Sequence, residues 1–137
     1  MPSLLEKGCV IISNLIYSEM IGNPQHPIVW VGFSLKDLRN LPREIQKEIG
    51  FALWRAQEGK KYHRAKPLKG LPGVMEIVSD YMTDTYRAVY ALKLGDAIYV
   101  LHVFQKKSKR GAAIPREEMD LIKKRLQDAR QLARENR

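Results

Sequence analysis

The residues best suited to chemistry are cations that follow an apolar run. Residues 98–104 are rich in β-branched and aromatic side chains, and four cations occupy the next six positions. They are Lys106, Lys107, Lys109 and Arg110. Burial of a hydrophobic core does not require this cluster. An earlier apolar run, residues 86–90, contains one more cation, Arg87. Because guanidinium and ammonium groups bind phosphate oxygens, these residues predict a site for a phosphodiester.

Two interpretations of Arg87 and of the lysines stay open. An arginine in the middle of a strand must face an anion or pair with a carboxylate, and Glu76 on the adjacent strand is the candidate partner. The lysines form either a solvated basic loop or a catalytic group. In a catalytic group, repulsion between neighbouring ammonium charges lowers the pKa of one lysine, which then serves as general base or acid. The other lysines would stabilise a pentavalent phosphorane.

A second basic segment precedes these strands. Lys66 and Lys69 bracket a Pro-Leu pair in residues 65–73, which the prolines and glycines predict to be a stiff, shaped loop. Three further cations extend this patch, and their alternative role is a solubilising turn. They are Lys60, Lys61 and Arg64.

Other reaction types find little support. His26, His63 and His102 show no metal-ligand spacing, and a single cysteine allows neither a zinc site nor an intrachain disulfide. His102 is interpreted as a structural histidine, and His63 as a weak acid–base candidate. We therefore expect no metal and no cofactor.

Paired carboxylates are also missing from the sequence pattern. Asp80 and Asp84 are assigned to a loop between two strands, which disfavours hydrolysis by two metal ions. A phosphate-binding glycine loop and a Ser/His/Asp arrangement are absent as well.

The net charge of +9 lies entirely in one half of the chain. Residues 60–137 contain 18 Lys and Arg against 9 Asp and Glu, whereas residues 1–59 contain 6 of each kind. A one-sided positive field attracts polyanions. This favours a nucleic acid as ligand, with a solvated surface or an acidic protein partner as the alternative.

Apolar periodicity predicts an α+β domain in the order β-α-α-β-β-β-α. The strands are predicted at 28–31, 74–78, 86–90 and 98–104, with a turn at Leu94-Gly95-Asp96. Ser34 is predicted to cap a first helix, Pro42 to start a second and Gly59 to end it, and a last helix follows Pro115. The result is a small, mainly antiparallel sheet with an N-terminal helical hairpin and a C-terminal helix. Helices are expected on one face only, leaving the other concave and basic.

Residues 1–26 are predicted to be an N-terminal extension ahead of a domain spanning 27–137. Either this extension is disordered, or Met20 is the true start of the protein. The apolar run 9–16 is too short to span a bilayer and lacks a basic leader, so we expect a cytoplasmic protein without membrane contact.

Several motifs together resemble the phage-derived RelE/HigB-type toxins of bacterial type II toxin–antitoxin modules. In order along the chain they are Val29-Trp30-Val31-Gly32, Lys66-Pro67-Leu68-Lys69-Gly70, Thr85-Tyr86-Arg87-Ala88-Val89-Tyr90, Leu101 to Lys109, and Pro115. The resemblance covers about residues 27 to 133. It implies a RelE-like α+β fold and an endoribonuclease that cuts messenger RNA without a metal, usually on the ribosome, and so inhibits translation.

The resemblance also implies roles for individual residues. Arg87 matches the strand arginine that steadies the scissile phosphate, and Lys106 and Lys107 match basic residues beside the cleavage site. Lys66 and Lys69 match the lysine-bearing loop that contacts RNA, which makes these lysines candidates for the base. The further RNA-binding candidates are Lys60, Lys61, Arg64, Lys109 and Arg110.

Resemblance to this family implies partners and leaves two alternatives. The implied partners are messenger RNA, the ribosome and a cognate helix-turn-helix antitoxin. One alternative is a non-enzymatic, toxin-like protein that acts on gyrase. The other is a basic nucleic-acid-binding domain without catalysis.

Overall fold

The computed structural model describes residues 11–12, 15–16, 26–106 and 113–135. Within the predicted N-terminal extension, β1 (Ile11–Ile12) and β2 (Leu15–Ile16) pair antiparallel. The other expectations for residues 1–25 fall outside the described residues.

A five-stranded sheet with three helices forms the rest of the structure, confirming the α+β prediction. Its elements are β3 (Ile28–Trp30), α1 (Ser34–Arg39), α2 (Arg43–Gln57), β4 (Ala65–Pro67), β5 (Val74–Tyr81), β6 (Asp84–Leu94), β7 (Ala97–Lys106) and α3 (Arg116–Glu135). The strand order is β3-β7-β6-β5-β4, and only the β3–β7 pair is parallel. Within the described ranges, no helix is both long and apolar enough to cross a membrane.

The helical hairpin α1–α2 packs on one face of the sheet, called here the hairpin face. Ile45, Ile49 and Leu53 recur at helical spacing and are at most 1% exposed. Gly59 takes a positive φ of 76° just past the end of α2, as predicted for a helix C-terminus. The predicted cap at Ser34 is wrong, because this serine is the first residue of α1 and its hydroxyl donates to the carbonyl of Val100 at 3.1 Å.

The last helix corrects the prediction that helices cover one face only. Ile122 and Leu126 of α3 join a second buried cluster with Val89 and Leu101, on the side of the sheet opposite the hairpin face. We call this side the α3 face. It is not a bare concave surface, because α3 covers part of it and leaves charged side chains beside the helix.

Two loop assignments are also corrected. Asp80 belongs to β5 and Asp84 to β6, because Met82 and Thr83 alone form the turn between these strands. The segment predicted as a stiff loop begins with β4, where Lys66 pairs with Glu76 of β5. These longer ladders place Lys66, Glu76 and Arg87 on neighbouring strands.

Candidate functional site

A cluster of charged residues lies on the α3 face at the end of the sheet where β7 stops. It comprises Lys66, Glu76, Arg87 and Lys106, and we call it the charged cluster. The registers explain the grouping, since Glu76 lies opposite Lys66 on one side and opposite Val89, two residues from Arg87, on the other. Three cations therefore surround one carboxylate.

The centre of the charged cluster is the ion pair between Arg87 and Glu76. Nη1 of Arg87 donates to Oε2 of Glu76, and their side chains are 5% and 3% exposed. Glu76 is the carboxylate that the sequence analysis named as the alternative partner of Arg87. Because a charge-assisted hydrogen bond fixes both side chains, the guanidinium is held rigidly on the sheet.

The two lysines of the charged cluster differ in exposure. Nζ of Lys66 lies 3.7 Å from Oε1 of Glu76, and its side chain is 56% exposed. Lys106, in contrast, is only 9% exposed. Burial and the positive charge of Arg87 lower the pKa of the Lys106 ammonium; Glu76 raises it, and Lys66 lowers it further.

This arrangement has two chemical capacities. Lys66 and Arg87 offer positive charge to an anion at the sheet surface, and Glu76 holds them in place. Lys106 carries a pKa shifted in the direction that proton transfer near neutral pH requires. The structure thus brings together three of the cations named from the sequence.

The other named cations are not drawn into the charged cluster. Lys69 is exposed in the turn that follows β4. Arg64 donates to Oδ2 of Asp80 at 2.9 Å and lies 3.8 Å from Glu48, so carboxylates already surround its guanidinium. Lys60 and Lys61 border a pocket on the hairpin face. Lys107, Lys109 and Arg110 fall outside the described residues.

A second polar group joins α3 to the sheet beside the charged cluster. Val89 pairs with His102 and Tyr90 pairs with Val100, so Leu101 is the extra residue of a β-bulge. The bulge allows His102 to reach α3, where Nε2 pairs with Glu118 and Nδ1 lies 3.1 Å from Nη1 of Arg125. His102 is therefore structural, as expected, and Phe104 stacks on its ring at 4.6 Å between centroids.

Arg125 anchors this group to the backbone. Its Nη1 donates to the carbonyl of Leu101 at 2.9 Å, and a Cβ at Gly32 would lie 2.8 Å from its Nε. Gly32 also has a positive φ of 59°, a conformation that favours glycine, and a side chain there would displace the guanidinium of Arg125.

Glu76, Glu118 and Arg125 are the functional or supporting residues that sequence reasoning missed or left as minor partners. Glu76 was named as the alternative partner of Arg87, but its place opposite Val89 follows from the two-residue turn at Met82 and Thr83, a segment that the sequence analysis assigned to a longer loop. Among the described residues, no group of three or more His, Cys, Asp or Glu side chains is arranged to hold a metal ion.

Comparison with known proteins identifies the family. The model for the phage derived protein Gp49-like family (DUF891) matches residues 36–127, about two thirds of the chain. No curated protein and no solved structure matches. The matched range contains most of α1, all of α2, the whole charged cluster and more than half of α3. The chain therefore belongs to the phage-derived Gp49-like family, a family of RelE/HigB-like toxins of toxin–antitoxin systems.

Proposed function

We propose that this protein is the toxin of a type II toxin–antitoxin module and an endoribonuclease that cleaves messenger RNA on the ribosome. The single observation that carries the proposal is the charged cluster, in which three cations surround a buried carboxylate at the edge of the α3 face. Family membership supports the toxin assignment. The cytoplasm is where such an enzyme meets its substrate.

The proposed reaction is a transesterification within RNA. The ribose 2′-oxygen attacks the adjacent phosphorus, a new O–P bond forms, and the bond from phosphorus to the 5′-oxygen breaks. The base takes the proton of the 2′-hydroxyl, and the leaving 5′-oxygen receives a proton. The products are a 2′,3′-cyclic phosphate and a 5′-hydroxyl, and no metal ion is required.

The residues divide this chemistry among them. Arg87 and Lys66 stabilise the charge that develops on the phosphorane, because fixed cations act strongly where water is excluded. Glu76 is a positioning residue that orients both cations. Lys106 transfers a proton, since its lowered pKa brings its neutral form closer to working pH. Lys69 is a second candidate for the base, and Lys107 is proposed as a further catalytic cation beside the scissile phosphate. Lys109 and Arg110 are proposed to bind the RNA backbone.

The proposed partner is a helix-turn-helix antitoxin that suppresses the toxin until the antitoxin is degraded. Net positive charge on the toxin supports capture of an acidic surface as well as of RNA.

A second function is favoured by one specific observation. Arg87 is 4% exposed and already paired with Glu76, which is the arrangement of a structural ion pair. On this alternative the protein binds nucleic acid, or a protein target such as gyrase, without catalysis.

Induction in a bacterial host without any partner distinguishes these functions. The parent is compared with Arg87→Lys, which preserves the charge opposite Glu76 but loses the planar fork of donors. Lys123→Ala, an exposed position on α3, is the control. New 5′ ends within translated messages should appear with the parent and the control and fall by ~10²-fold with Arg87→Lys. Growth arrest without new 5′ ends would contradict the nuclease and favour a protein target.

A further inference from the structure

A pocket on the hairpin face forms a second candidate site, separate from the charged cluster. Its volume is about 400 Å³, which lies within the range of ligand-binding pockets. Ala56 of α2, Met75 of β5, and Tyr90 and Leu92 of β6 supply apolar walls. Ala97 and Ile98 at the start of β7 close the far side.

Three lysines border this apolar pocket. Lys60 and Lys61 follow α2, and Lys93 lies near the end of β6; all three are exposed. Among the described residues, no carboxylate lies within salt-bridge distance of any of them. Within the described part of the chain, the border therefore presents three exposed ammonium groups without a close ion pair around an apolar opening.

The backbone at the border holds one of these lysines in an unusual conformation. Lys93 has a positive φ of 61°, a left-handed conformation that favours glycine and strains a residue with a side chain. Gln57 donates to the carbonyl of His26 at 2.9 Å, and Nδ1 of His26 lies 2.9 Å from the carbonyl of Asp96. These hydrogen bonds hold His26, another residue that lines the pocket, in place.

We propose that this pocket docks an acidic segment of a protein partner, which inserts one apolar side chain between the lysines. The apolar walls bury the side chain, and the ammonium groups of Lys60, Lys61 and Lys93 meet the flanking aspartates or glutamates. The proposal goes beyond the nuclease function and does not depend on it.

The chemistry of the pocket favours a peptide over RNA. A nucleobase in an apolar pocket would leave polar edge atoms without hydrogen bonds, which is costly. Tyr90 is only 2% exposed, so its ring offers no open face for a base to stack on. An aliphatic or aromatic side chain leaves no such group unsatisfied.

The pocket and the charged cluster lie on opposite faces of the sheet. Met75 faces the pocket, whereas the next residue, Glu76, faces the charged cluster; Tyr90 and Val89 divide in the same way. A segment bound in the pocket therefore does not cover the charged cluster. Lys60 and Lys61, named from the sequence as RNA-binding residues, are reassigned by this proposal to a protein partner.

The test uses a short fluorescein-labelled peptide with one leucine flanked by glutamates, and measures binding by fluorescence anisotropy. Lys60→Glu/Lys61→Glu is compared with Lys123→Glu/Lys124→Glu on α3, a matched pair of adjacent exposed lysines that changes the net charge equally. We expect the first double variant to weaken binding by about tenfold or more and the second to change it little. Lys93→Gly should also weaken binding while relieving the backbone strain, which tests the third lysine in a protein that stays folded.

Two further arms separate this proposal from its alternatives. Replacing the leucine of the peptide by glutamine should weaken binding, and Arg87→Lys should leave it unchanged whether or not the protein cleaves RNA. Equal losses in the two double variants, or equal binding of the leucine and glutamine peptides, would overturn the proposal. It would also be overturned if the parent bound no peptide, or if a single-stranded RNA oligonucleotide displaced the peptide from the parent.

Discussion

The two faces of the sheet do different work with neighbouring residues of the same strands. On the hairpin face, Ile77 and Ala88 are fully buried under α2 within the apolar cluster of that face. On the α3 face, their neighbours Glu76 and Arg87 are almost as deeply buried but carry opposite charges. The hairpin face thus stabilises the fold by burying apolar surface, whereas the charged cluster tolerates a desolvation cost that apolar residues would avoid. That cost is the physical reason for assigning function to the α3 face.

The largest expected effect is on stability when one partner of the buried ion pair is removed. Glu76→Ala should destabilise the protein by about 3–5 kcal/mol, because the guanidinium of Arg87 loses its buried counter-charge. The double variant Glu76→Leu/Arg87→Met should recover most of that loss while abolishing cleavage. Urea denaturation of the single and double variants measures the loss of stability and its recovery. A double variant as unstable as the single one would mean that the α3 face depends on its charges for folding.

An apolar truncation on the hairpin face should separate folding from function. Ile77→Ala, adjacent to Glu76 on β5, should cost about 2–5 kcal/mol through lost burial and the cavity it leaves. Cleavage per folded molecule should stay near that of the parent, because Ile77 does not face the charged cluster. A large loss of specific activity at temperatures where the variant remains folded would contradict the division between the faces.

Lys106 should link activity and stability to pH. Its pKa is lowered in the folded protein, so the folded state is penalised where the lysine is charged, and stability should rise as pH increases from the folded pKa toward the usual lysine value. Lys106→Met should remove this rise and stop cleavage. Thermal denaturation at a series of alkaline pH values tests the sign. A parent whose alkaline stability profile matches that of Lys106→Met would contradict the lowered pKa.

The smallest expected effect belongs to Asp80, an exposed carboxylate near the end of β5 that is bonded to Thr85 and Arg64 and is not part of the charged cluster. Hydrogen bonds from Thr85 and Arg64 lower its pKa, so its contribution is present above the usual aspartate pKa and disappears as pH falls through the folded pKa. Asp80→Asn should cost only about 0.2–1 kcal/mol at neutral pH. At acid pH below the folded pKa, the parent and the variant should unfold at the same urea concentration. A difference that persisted there would indicate another role for Asp80.

Sequence periodicity predicted the helical hairpin and its buried side chains. Ile45, Ile49 and Leu53 repeat with the helical period, and their burial requires only an apolar surface on the sheet. The α3 face was harder to predict. Pairing of Glu76 with Arg87 depends on the length of the turn at Met82 and Thr83, and a short error in that turn moves the carboxylate away.

The contact of His102 with α3 could not be predicted from the sequence pattern either. It depends on a bulge at Leu101, which interrupts the alternation of side chains without leaving a glycine or proline as a signal. Residue type and position identified Arg87, Lys66 and Lys106 as candidates and Glu76 as the alternative partner of Arg87, and the family resemblance implied roles for the three cations. Glu118 could not be found in this way, because its contact with His102 depends on how the last helix packs on the sheet.

The most direct test of the central claim examines the ends of the RNA that the purified protein produces. Messenger RNA on translating ribosomes is compared with free messenger RNA, which is also incubated with EDTA, and the new termini are characterised chemically. We predict 2′,3′-cyclic phosphate and 5′-hydroxyl ends on the ribosome-bound message. EDTA should leave any cleavage of free messenger RNA unchanged. Arg87→Lys should abolish cleavage of ribosome-bound and of free messenger RNA. Cleavage that yields 5′-phosphate ends, or that survives Arg87→Lys at the parent rate, would contradict the assignment of this chemistry to the charged cluster.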